Sequence, residues 1–276
     1  MLYSRFDRAV RKFIPSVGKM SYNPIVRAVG DKFAYILSLP FSELQDLPPN
    51  HLRIRIGVGN RIFANHVHFL QMGSYLWLNF LSHQYCGFNS DVVELGCGCG
   101  RVAYPLKADW FKGTYVGVDI DKEMIEYCRK NFSEKQFRFV LSPHKSSTYS
   151  SGEQEKRGAR EVLTIADPDS KDFVYSISLY SHLLENEVHE YLRETFRILR
   201  TGGVMYMTFF CIEHVKLGER WTFGHRQGSA LIEDDKYPEA AVAYHEVDMV
   251  ELTKQVGFRE VSVIPREIQS VLIARK

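Results

Sequence analysis

The sequence has no apolar run of about eighteen residues, the length a membrane-spanning helix needs. Its longest apolar-rich stretch, 69–86, is interrupted by Gln71, Asn79, His83 and Gln84. It also has no C-x-x-C pair. The five cysteines (Cys86, Cys97, Cys99, Cys128 and Cys211) are odd in number, and Cys97 and Cys99 flank a single glycine. That spacing suits neither a zinc knuckle nor an ordinary disulfide, so a reducing, cytoplasmic setting is expected. No excess charge is present: 35 Lys+Arg stand against 33 Asp+Glu, a formal net charge of +2. Binding of nucleic acid by bulk charge is therefore not expected. The opening text MLYSRFDRAVRKFIP carries charges every few residues and lacks the apolar core of a secretory signal. Internal repeats are absent.

What remains is an ordinary globular composition, with 276 residues of which 45% are hydrophobic and 25% charged. At about 100–200 residues per domain, this is one enlarged domain or one domain with attachments. The charge is unevenly spread. Residues 1–60 hold nine Lys and Arg against four Asp and Glu. Leu2, Phe6, Val10, Phe13 and Ile14 recur at helical spacing up to Pro15, and a second such pattern runs from Val26 to Leu37. The expected organisation is an N-terminal helical cap over 1–60 and a main domain over 61–276. The basic first helix is a place for weak contact with an anionic membrane surface.

From residue 91 onward short apolar runs alternate with helical patterns. Strands are expected at 91–96, 114–119, 137–141, 172–178, 204–210, 258–264 and 268–274. Helices are expected at 65–81, 122–130, 188–199 (stopped by Thr201-Gly202-Gly203) and 248–256. This alternation predicts an α/β fold, a doubly wound Rossmann-like sheet of seven strands. The short link between the last two strands makes the final one antiparallel. Two stretches, 142–160 and 212–245, fit no regular element. The second carries Trp221, Phe223, His225, Tyr237 and Tyr244, and a loop of that length in a compact domain is usually functional. It is read as a substrate-loop insertion.

The most informative segment is Glu94-Leu-Gly96-Cys97-Gly98-Cys99-Gly100-Arg101. Glycines between a strand and a helix let the backbone turn sharply and approach a ligand, and the helix N-terminus supplies unpaired N–H groups. A dinucleotide fingerprint would place its third glycine where Arg101 stands, which argues against a nicotinamide oxidoreductase. The second strand ends in Asp119, where a carboxylate can accept from both hydroxyls of a ribose.

This text resembles the first motif, E/D-x-G-x-G-x-G, of class I S-adenosylmethionine-dependent methyltransferases. Gly117-Val-Asp119-Ile120-Asp121 is similar to the family's second motif, and Asp172 to Leu183 to its fourth strand and turn. Leu192 to Gly203 resembles the helix and fifth-strand entry. The resemblance implies S-adenosylmethionine as cofactor. It implies that Glu94, Gly96, Cys97, Gly98, Gly100 and Arg101 hold the methionine end, Asp119 the ribose and Ile120 the adenine, with Ser178 beside them. Val140 to His144 departs from the family in having no acid after the third strand. The implied activity is methyl transfer to a small or medium-sized metabolite, with oxygen as the expected acceptor atom. RNA or protein as acceptor, or a non-catalytic cofactor-binding protein, are the alternatives.

A hydroxyl acceptor needs a base. His182, following the fourth strand, is the first candidate. His245 with Glu246 is the second, and Glu213 with His214 the third. His225 and Tyr180 are candidates to line the pocket. Asp167, Asp169 and Asp172 are the acids nearest the fourth strand, but Asp172 begins that strand and points to the wrong edge, so no metal is expected.

Overall fold

The computed structural model describes residues 23–56, 65–143, 164–218 and 221–276. The helix expected over Leu2 to Ile14, its membrane contact and most of 142–160 lie outside the described residues. The chain divides into two compact units, residues 1–76 and 77–276.

The first unit contains helices α1 (Pro24–Ser38), α2 (Ser42–Gln45), α3 (Asn50–Arg53) and the start of α4 (His66–Ser82). Asn23 caps α1, its side-chain oxygen accepting from the N–H groups of Ile25 and Val26, with Pro24 at the first helical position. Asp31 on α1 receives both the backbone N–H and the ring Nδ1 of His51, at 2.8 and 2.6 Å. Buried Arg53 donates to Asn65 at 2.6 Å and to the Pro48 carbonyl. No described helix is long and apolar enough to cross a membrane.

The second unit is the expected α/β sheet. Its main strands are β1 (Val92–Leu95), β2 (Tyr115–Asp119), β3 (Phe137–Leu141), β4 (Lys171–Ser176), β5 (Leu199–Cys211), β9 (Glu260–Ile264) and β10 (Ser270–Arg275). They run in the order β3-β2-β1-β4-β5-β10-β9. Strands β1 to β5 are parallel, while β10 is antiparallel to both neighbours. Helices α5 (Lys122–Asn131), α6 (Glu185–Ile198) and α7 (Glu246–Val256) connect them. Within this unit, Phe80 near the end of α4 is fully buried, its ring 5.0 Å from each of Phe173, Tyr175 and Tyr206.

Two expectations are corrected. The helix before the fifth strand ends at Ile198, and Leu199 is already extended. Thr201 to Gly203 lie inside β5, where the pairing with β4 shifts register, so the glycines serve a bulge and not a helix stop. The insertion 212–245 is also not one irregular loop. It contains β6 (His225–Gln227), β7 (Ala230–Ile232) and β8 (Val242–Tyr244), an antiparallel run whose last strand pairs in parallel with the end of β5. Strands of three residues are too short to show alternation, and β6 is exposed throughout. Phe210, Val215, Phe223, Ala241 and Ala243 give this extension its own small core.

Candidate active site at the carboxyl edge of the sheet

Because β1, β2, β4, β5 and β8 all run parallel, their carboxyl ends share one edge. Gly96 follows β1, Asp119 ends β2, Ser178 stands two residues beyond β4, Cys211 ends β5 and His245 follows β8. Ligands of open α/β sheets bind at this edge.

The glycine turn is built there. Gly96, Gly98 and Gly100 have φ of 78°, 53° and 82°, a region that L side chains seldom adopt. The N–H groups of Gly96 and Cys97 both donate to the Val118 carbonyl, at 2.8 and 3.0 Å. Asp119 completes the lock: one carboxylate oxygen accepts from the Gly98 N–H at 2.7 Å, the other from the Asp121 N–H at 2.9 Å. Asp121 in turn caps α5. Ile120 is half-buried beside it.

Glu94 lies beneath the turn and is 2% exposed. Its carboxylate accepts from the hydroxyls of Tyr115 and Tyr175. Burial pushes its pKa up, against those bonds and the nearby Arg101 charge, to about 8. The Arg101 Nε is buried and has no hydrogen-bond partner among the described residues. A buried donor of this kind fits the carboxylate of an amino-acid-bearing cofactor.

Ser178 is exposed and holds φ of 62°. Its N–H donates to Thr208 Oγ1 at 2.7 Å and its hydroxyl to Gln269 Oε1 at 2.9 Å, and Thr208 also donates to Gln269. Gln269, which the sequence pattern did not single out, thus braces this strained turn from just before β10.

His182 stands apart from the other two sets of base candidates, whose members pair across each other. His182 closes a short 3-10 turn, Tyr180–His182. Its Nδ1 donates to the Glu239 carbonyl at 2.9 Å, and burial lowers its pKa against that bond. His245, by contrast, meets Glu213: Nδ1 and the carboxylate are 2.7 Å apart, both side chains 42% exposed. Glu213 also accepts from the Cys211 thiol and the Glu246 N–H, at 3.0 and 3.1 Å. Burial opposes its ionisation, yet the bonds from Cys211 and His245 outweigh this and hold the carboxyl near 2. His214 faces Glu246 at 3.5 Å. His225 lies elsewhere, paired with Asp235 at 2.7 Å, and Tyr180 is buried in the core. Asp172 stands at the opposite edge, bound with Asp91 to Arg200.

Residues 93–207 match the family described as a methyltransferase domain. Over 62 residues the chain is 27% identical to "Putative methyltransferase 235L" of Invertebrate iridescent virus 6, a match spanning 22% of this chain and 23% of that protein. A solved S-adenosylmethionine-dependent methyltransferase from Mesorhizobium loti superposes with a TM-score of 0.50 at 15% identity, covering 74% of this chain and 98% of the other. A structure from Listeria monocytogenes gives 0.50 at 14%, with the same coverage. These two share the fold. Residues 93–207 are thus similar to a methyltransferase domain, and the cofactor of such domains is S-adenosylmethionine.

Proposed function

We propose that this protein transfers a methyl group from S-adenosylmethionine to a hydroxyl of a small or medium-sized metabolite. Asp119 takes the ribose while holding the turn through Gly98. Arg101 Nε takes the cofactor carboxylate. The cofactor supplies an electrophilic methyl on sulfonium, so the protein's remaining task is to orient the acceptor and remove its proton.

The observation that carries the oxygen assignment is the His245–Glu213 pair. The carboxylate accepts from Nδ1, which leaves Nε2 as the basic nitrogen of the imidazole. A hydroxyl requires such a base; an acceptor that already offers a lone pair at neutral pH does not. His182 is assigned to positioning, through its bond to the insertion at Glu239. A reducing, cytoplasmic setting fits the five free thiols.

Calorimetry with S-adenosylhomocysteine tests the cofactor assignment: folded protein that fails to bind at millimolar ligand overturns it. A methyl-transfer screen over phenols, sugars and carboxylic acids, set against RNA and protein acceptors, tests the acceptor class.

A further inference from the structure

The sequence led to no expected metal, because Asp172, which begins the fourth strand, points to the wrong edge. A mixed donor set forms elsewhere, after β5. We propose that Cys211, His214 and Glu246 form a binding site for a divalent transition metal, zinc by its donor chemistry.

Cys211 Sγ, a ring nitrogen of His214 and a carboxylate oxygen of Glu246 all lie within 4.8 Å of one another. His214 Nε2 and Glu246 Oε2 are already 3.5 Å apart. With Zn–N of about 2.0 Å and Zn–S of about 2.3 Å, tetrahedral ligand atoms stand about 3.3–3.8 Å from each other. Modest side-chain rotation closes the remaining gap, and both His214 and Glu246 reach solvent, at 22% and 43% exposure.

The surroundings suit the role. Cys211-Ile-Glu-His214 is a tight turn, closed by the N–H groups of His214 and Val215 on the Cys211 carbonyl at 3.1 and 2.8 Å. This turn brings the thiol and imidazole together from one strand end. His214 Nδ1 lies 3.1 Å from the hydroxyl of buried Ser270. A ligating histidine commonly carries such an outer partner, which fixes its tautomer and aims Nε2 at the metal. Glu246, first residue of α7, is anchored by its N–H on Glu213. Thiolate, imidazole and carboxylate together favour zinc over magnesium or calcium. Binding displaces the Cys211 thiol proton to solvent. Three protein ligands leave a fourth position for water or an acceptor oxygen.

The test is direct metal binding by the full chain, stripped with chelator and titrated with zinc against a chromophoric competitor. The expected result is one equivalent per chain with Kd of about 1 µM or tighter. His214→Gln and Glu246→Gln should each weaken it at least tenfold, while Asp235→Asn, at the separate His225 pair, leaves it unchanged. Cobalt(II) should give a thiolate charge-transfer band that Cys211→Ser abolishes. Failure to bind one equivalent at about 10 µM zinc, unchanged affinity in both exposed-ligand variants, or a cobalt complex without the thiolate band overturns the site. Should a variant not fold by circular dichroism, the cobalt spectrum of the unaltered chain decides. None of these readouts depends on methyl transfer.

Discussion

Gly98 and Asp119 are joined by a hydrogen bond of 2.7 Å from the backbone N–H of the glycine turn to the carboxylate that ends the neighbouring strand. The residue assigned to the ribose therefore also shapes the loop assigned to the methionine end. Asp119→Ala should weaken S-adenosylhomocysteine binding by more than tenfold, about 1.4 kcal/mol or more. Asp119→Asn should retain more of the turn than alanine, because the amide oxygen still accepts from Gly98. Calorimetry on both variants checks this, and unchanged affinity in Asp119→Ala refutes the role.

Gly100 combines φ of 82° with close packing, since a Cβ there would stand 2.9 Å from the Phe132 ring. Gly100→Ala should destabilise the fold by about 1–3 kcal/mol and reduce cofactor affinity with it. Urea denaturation monitors the first effect. A midpoint equal to that of the unaltered chain would show that the turn relaxes freely.

Burial raises the Glu94 carboxyl to about 8 in the folded chain, whereas the unfolded chain has an ordinary carboxyl. Between those two values the unfolded state has released a proton that the folded state keeps. The contribution of Glu94 to stability is therefore full at acid pH and is lost as pH rises through about 8. Thermal melts across about pH 4–9 should show stability declining from the ordinary carboxyl range up to about 8 and levelling off above it, with Glu94→Gln removing this decline. Parallel curves for the two proteins would contradict the shift.

His245→Ala should lower kcat at least a hundredfold, the lower range of general-base effects, with little change in cofactor binding. Glu213→Gln should lower it less, since it only orients the imidazole. His182→Ala should raise KM for the acceptor more than it lowers kcat, because its bond holds the insertion at Glu239. Steady-state kinetics on an acceptor found by the screen separates the three. A His182 variant with the larger kcat loss would exchange the two assignments.

Phe80 packs at 5.0 Å against Phe173, Tyr175 and Tyr206 and is fully buried. Phe80→Ala should cost about 3–5 kcal/mol, the lost transfer energy plus an unfilled cavity. Chemical denaturation measures it, and a loss under 1 kcal/mol would mean that the ring cluster collapses onto the gap.

The sequence by itself determined the strand–helix alternation, the glycine turn and Asp119. Each is a local pattern: a buried strand reads as an apolar run, and a left-handed turn demands glycine where it occurs. Glu94 was also legible as part of that motif, but not its burial under Tyr115 and Tyr175, which come from two other strands. Tertiary structure alone decided the other half of the site. His245 reaches Glu213 across 32 positions, and Glu246 reaches His214 across a similar span. They meet because β8 pairs in parallel with the last two residues of β5. β8 has three residues and no readable period, so nothing local in the chain announces that pairing. Long-range backbone pairing, not residue spacing, places these groups together.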